Sequence, residues 1–213
     1  MAHARTVTLR RSDAISRVIE HAPVVALWGV IGIELMVLVT WAPDTLRVWL
    51  DPETHGYGDF GVFFENAKSL SLTNMYSPGL AVLLHPLTWL RMETAFAIYT
   101  AVNVLALAGV AFIAQRAVES TAAKIAVVLG VFALPQTHWA LRVGHFTQIL
   151  ALAALVGLLY SDRRPVMAGV CIAVLALKPQ YLPVPLVYLL VTRNWRAFGV
   201  ATGGLASLGV AGV

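Results

Sequence analysis

Asp59 is the residue whose neighbours best equip it for chemistry. It stands in HGYGDFGVFFENAKSL, after two glycines and ahead of an aromatic cluster. From Asp59 onward, Phe60, Phe63, Phe64, Ala67 and Leu70 recur at helical spacing. That pattern predicts an amphipathic helix on a membrane surface, with Asp59 at or near its N-cap. A carboxylate held just above a bilayer can serve as general base toward an acceptor hydroxyl. Asp is also a favoured helix cap, and spacing alone leaves both readings open. Asp51 and Glu53 lie in a more polar stretch without the aromatic anchor and read as solvated.

Two further groupings can carry chemistry. In PQTHWALRVGHFTQ, Gln136, His138, Arg142, His145 and Gln148 offer imidazoles, a guanidinium and amides. Such groups bind phosphate or sugar hydroxyls, or form a plain interfacial polar loop. The seven-residue spacing of His138 and His145 lacks a nearby Cys or carboxylate partner, so no metal site is assigned. In LALKPQYLPVP, Lys178 ends a short apolar run, and Pro179, Pro183 and Pro185 keep the next from continuing smoothly. Lys178 either snorkels to the interface or lines a polar cavity and meets an anion.

The elements that position these groups are set by composition. Of 213 residues, 59% are hydrophobic and 12% charged, with mean hydropathy +0.76. A soluble domain carries about twice that charge, so the fold class is all-α, a polytopic membrane helical bundle. The apolar runs are Pro23 to Trp41, Ala95 to Ala114, Ile125 to Leu134, Phe146 to Tyr160, Val166 to Leu177, Leu182 to Val191 and Phe198 to Val213. Several are shorter than a full span, and together they suggest about six crossings. The segment SPGLAVLLHPLTWL reads as re-entrant or interfacial. The formal charge of +4 reports orientation before it reports a partner, and nucleic acid is excluded as the expected one.

If SPGLAVLLHPLTWL does not cross, about two-thirds of the basic residues share the side of the N-terminus, which the positive-inside rule places in the cytoplasm. Asp59, His138, Arg142, His145 and Lys178 then share the other face. The chain reads as a single domain, 1–213, whose extracytoplasmic loop, 43–93, carries interfacial or re-entrant helices. Its final apolar run has no polar flank, so a longer protein truncated at the C-terminus is expected. Cys171 reads as inert packing. Glu34, inside the first apolar run, should face the bundle.

These pieces resemble the integral-membrane GT-C glycosyltransferases of family 87, the polyprenol-phosphate-mannose-dependent mannosyltransferases typical of actinobacteria. The likeness runs from Asp59-Phe60 through Tyr76 to Leu87, then Gly144-His145-Phe146-Thr147, Ala168-Gly169, Lys178-Pro179 and Arg193 to Ala197. It departs at His145, where the family usually has Gln, and at Ser77, which replaces a proline. The resemblance implies a plasma-membrane, multi-pass enzyme of the cell envelope. Its donor would be a polyprenyl-phosphate-linked hexose, its acceptor a lipid or glycolipid, and its transfer inverting on the extracytoplasmic side. Asp59 matches the family's catalytic aspartate. Charge and membrane side, rather than the resemblance, suggest Lys178 for stabilising the leaving phosphate, with His145, Arg142, Gln148, His138 and Tyr76 expected to bind substrate and no cofactor expected. The absence of a P-loop or Rossmann glycine pattern permits a donor without nucleotide. A transporter or flippase is the alternative, supported by Glu34 and the broken stretch from Lys178 to Pro185; an inactive fragment is a third.

Overall fold

The computed structural model describes residues 2–69 and 78–210. Among them the chain forms α1 (Ala2–Leu50), α2 (Pro52–His55), α3 (Gly58–Ser69), α4 (Pro78–Leu84), α5 (Met92–Ala114), α6 (Thr121–Ala133), α7 (Pro135–Arg142), α8 (Thr147–Leu159), α9 (Pro165–Val174), α10 (Pro183–Val191) and α11 (Trp195–Val210). No strand occurs among the described residues, and four short 3-10 turns complete the set. The all-α membrane class follows directly.

Two helices are long and apolar enough to cross a bilayer alone, Val24–Leu50 and Met92–Ala117. A third crossing is possible if α6 and α7, bent by 41° at their junction, act together. The about six crossings inferred from apolar content therefore exceed what helix length supports in the described residues. Proline is the reason. Pro135, Pro165, Pro179 and Pro183 each sit at a helix start, where the missing N–H does no harm, and so divide the apolar runs into short helices.

The first helix ends later than its apolar run. Pro43 lies inside α1, which continues to Leu50. Lost donors are tolerable inside a membrane helix when hydroxyls can re-satisfy the backbone. Thr45, two residues on, donates its hydroxyl to the Trp41 carbonyl at 3.1 Å. Glu34 is half-buried and reaches α6, where a Cβ on Gly130 would lie 2.6 Å from its Oε1.

In lipid, helices associate through close packing of small residues rather than by hiding apolar surface from water. The α9–α11 pair does this. A Cβ on Gly169 would fall 2.6 Å from the Ala197 carbonyl oxygen, and one on Gly204 would fall 2.7 Å from the Ala173 Cβ. Asn194 then joins the connections at that end of the bundle. Its amide donates to the Ser161 carbonyl at 2.7 Å, while its Oδ1 accepts from the Ala197 N–H at 3.3 Å. The α8–α9 turn and the α10–α11 turn thus meet at one end, leaving the α7–α8 turn and the α9–α10 link at the other.

The α3 helix docks on protein. Phe60, Phe63, Phe64 and Ala67 are buried, with Phe60 ringed by Phe96 at 5.4 Å and Tyr99 at 4.8 Å, and Phe63 set 6.0 Å from Phe146. The helical spacing expected from Asp59 is present, and its apolar face is covered by protein: α4, the 3-10 turn His85–Trp89 that follows it, α5 and Phe146. Leu70 lies outside the described residues.

Candidate functional site

The site is built where the start of α3 meets the α7–α8 turn. Both the Asp59 and Phe60 amides point at one acceptor, the Val143 carbonyl, at 2.6 and 3.3 Å. Two glycines permit that approach. Gly58 has φ +54° and a Cβ there would fall 2.6 Å from the Val143 oxygen; Gly144 has φ +72° and its Cβ would fall 2.6 Å from the Phe60 Cβ. Left-handed backbone and absent side chains are both glycine properties, so the contact requires them.

Helix α3 begins at Gly58, which puts Asp59 in the first turn, where the helix dipole favours a negative charge. Its carboxylate turns across the contact to His145, with Oδ2 at 2.9 Å from Nε2. Behind His145 lies Lys178, its Nζ 3.3 Å from Nδ1. Asp59 keeps 44% of its side chain exposed, while His145 and Lys178 are buried. The three residues come from three connections distant in sequence and form a line running inward from solvent.

The protein holds each member in place by local means. The His145 backbone N–H donates to the Ala140 carbonyl at 2.8 Å, and its ring stacks at a tilt on Trp139, centroids 5.1 Å apart. Lys178 lies between two 3-10 turns, with Nζ 5.8 Å from the Phe146 ring and 5.9 Å from the Tyr181 ring. Those aromatic faces offset part of the cost of burying a cation.

Burial, reinforced by the Lys178 charge and opposed by Asp59, holds the His145 imidazole below its ordinary value. Burial likewise lowers the Lys178 ammonium, against the pull of Asp59. For His145 the linkage has a definite sign. Below about pH 6.5 the unfolded chain takes up a proton that the folded chain refuses until a lower pH, so stability falls as pH falls through that window. Thermal unfolding of His145→Gln is therefore expected to be less acid-sensitive than that of the parent between about pH 7 and about pH 5.

The other expected site residues are distributed differently. Gln148, one residue into α8, is buried, and its Oε1 has no partner among the described residues; it lines a cavity of about 190 Å³ with Gln136 and Thr147. Arg142 is half-buried at the end of α7 and makes no ion pair with a described carboxylate. His138 turns to α1, its Nδ1 3.1 Å from the Thr45 hydroxyl, and so lies apart from the line of three. Tyr76 lies outside the described residues. Reading the sequence singled out neither the Val143 carbonyl nor the structural need for Gly144; the GlyAsp and GlyHis pairs were the available signal.

A family model, described as Glycosyltransferase family 87, matches residues 74–213, about two-thirds of the chain. The protein belongs to glycosyltransferase family 87. The matched residues contain His145 and Lys178, whereas Asp59 precedes them. No curated protein and no solved structure matches the chain. Membership of family 87 makes this a membrane glycosyltransferase, and the candidate site lies where its helix connections converge.

Proposed function

We propose that the protein transfers a hexose, with mannose as the expected sugar, from a polyprenyl-phosphate donor to a lipid or glycolipid acceptor on the extracytoplasmic side of the plasma membrane. The observation that carries this reading is the half-exposed Asp59 carboxylate, fixed against His145 in a family 87 chain. One oxygen, Oδ2, is engaged by His145, which leaves Oδ1 to take the acceptor proton. The acceptor oxygen then bonds to the anomeric carbon as the carbon–phosphate oxygen bond breaks, its electron pair leaving on the polyprenyl phosphate. Attack from the face opposite the leaving group inverts the anomeric centre. Arg142, near the site and without a described carboxylate partner, is assigned to the leaving phosphate. Gln148 and Tyr76 are assigned to sugar hydroxyls. His138 is left a supporting role through its contact with α1.

A lipid donor is supported by a groove of about 330 Å³ between α8 and α10. Its lining runs from Thr147, Gln180 and Tyr181, close in sequence to His145 and Lys178, down to Ala154 and Leu158. An apolar groove that opens beside charged groups suits an isoprenoid tail with a phosphate head.

The test is transfer of labelled mannose by the full chain in membranes. Activity with polyprenyl-phosphate-mannose and none with a nucleotide-linked sugar is expected; the reverse would overturn the donor assignment. Filling the groove with Ala154→Trp is expected to raise KM for a long-chain donor about tenfold, the effect of losing ~1.4 kcal/mol of binding. KM for a donor carrying only two isoprene units should change little. Equal effects on both donors would remove the groove from the reading.

A further inference from the structure

Lys178 and His145 are placed so that one can act through the other. An ammonium has three donors and no acceptor. With Lys178 carried as the ammonium, the His145 Nδ1 at 3.3 Å presents its lone pair to it, which assigns the ring proton to Nε2. That proton faces Asp59 Oδ2 at 2.9 Å. The direction of the whole chain follows: Lys178 donates to His145, and His145 donates to Asp59.

Granted that Asp59 is the base, as proposed above, we infer that His145 is a positioning residue. It transmits the buried charge of Lys178 to Asp59 and holds Oδ2 so that Oδ1 faces the acceptor. Lys178 then supports the reaction from behind the base, in place of the direct contact with leaving phosphate expected from sequence. Its burial agrees with that role, because a group 7% exposed and directed at an imidazole is poorly placed to meet a lipid headgroup. The cation is accommodated where it lies by Phe146, Tyr181 and Asp59. His145 and Lys178 keep their protons throughout; they fix orientation and charge while the acceptor's proton passes to Asp59 Oδ1.

The requirement at position 145 is therefore a side chain with an acceptor at its inner end and a donor at its outer end. Neutral imidazole meets it. A glutamine also meets it, since its carbonyl can accept from Lys178 while its amide donates to Asp59. Alanine and phenylalanine do not.

The experiment has two independent arms. In the first, kinetics of labelled hexose transfer are measured for the full chain in membranes. His145→Phe and Lys178→Met are each expected to lower kcat about 10- to 100-fold with KM within about twofold, as for loss of an outer partner that orients a reacting group. The double variant should lose no more than the worse single one, because the two residues act in series. His145→Gln should recover most of the loss seen with His145→Phe. Multiplied losses in the double variant, or a rise in KM with Lys178→Met, would show Lys178 touching substrate directly and overturn the inference.

In the second arm, nitrogen NMR of 15N-histidine-labelled full chain in lipid bilayers identifies the His145 tautomer, assigned by its absence from His145→Gln. An Nε2-protonated neutral ring that loses this form in Lys178→Met supports the chain of three. An Nδ1-protonated ring, or one indifferent to Lys178, overturns it. This arm needs no activity, so a parent protein with no transferase activity would defeat the proposed function and leave the hydrogen-bond chain to be decided by its spectrum.

Discussion

Replacing Asp59 by asparagine is expected to lower kcat for hexose transfer about 10²- to 10⁴-fold, the range over which a positioned general base acts. Asparagine has nearly the same shape, and its amide oxygen can still accept from His145 Nε2. The docking of α3 should therefore persist, since the Asp59 and Phe60 amides bond to Val143 through backbone alone and Phe60 stays buried. What is lost is a group able to take the acceptor proton. KM for the donor should change little, and the thermal unfolding midpoint should stay near that of the parent. Glu53→Gln is the matching control: Glu53 is exposed at the start of α2, outside the site, and its neutralisation should leave transfer within about twofold, as for a surface change away from any special feature. Retained activity in Asp59→Asn would remove Asp59 as the base and return attention to the other carboxylates between α1 and α5.

The helical class was readable because composition decides it: a chain with 12% charged residues has too little polar surface for an aqueous fold. The start of α3 was readable because Phe60, Phe63, Phe64 and Ala67 recur at a helical period. The convergence of Asp59, His145 and Lys178 could be anticipated only as a shared membrane face. Parity assigns loops to sides, but it contains no distances. What covers the aromatic face of α3 is not legible for the same reason, since an apolar stripe looks alike whether it meets lipid or the helices α4 and α5. Period reports that a face is apolar and leaves open what covers it.

Side-chain roles were the least readable. Lys178 and Arg142 are both cations near the same face, and composition cannot tell which one is covered. The fold separates them, burying Lys178 behind His145 and leaving Arg142 half-exposed. His138 and His145, seven residues apart, fall on opposite tasks because a turn intervenes: α7 carries His138 toward Thr45 of α1, and Gly144 reverses the chain before His145. A helical projection through that glycine would have put both imidazoles on one face.

Gly144 is where the largest loss from the smallest change is expected. Gly144→Ala adds one methyl group to a backbone at φ +72°, where an L side chain is strained, and places it 2.6 Å from the Phe60 Cβ. Neither neighbour has an easy escape. Phe60 is fully buried among Phe96 and Tyr99, and its own amide and that of Asp59 are tied to Val143. The contact must open, carrying Asp59 away from His145. A stability cost of about 1–3 kcal/mol is expected from the strained residue, visible as a lowered unfolding midpoint. Transfer should fall about 10²-fold, since displacements near 1 Å at a reacting group have that effect. Gly199→Ala provides the comparison, because nothing lies within 4 Å of the Cβ it would add inside α11. It should leave transfer near the parent level and stability equal or slightly higher, since alanine is the better helix residue. If Gly144→Ala kept full transfer, the close approach of α3 to the α7–α8 turn would not be what sets Asp59 in place, and the base would have to be held by His145 alone.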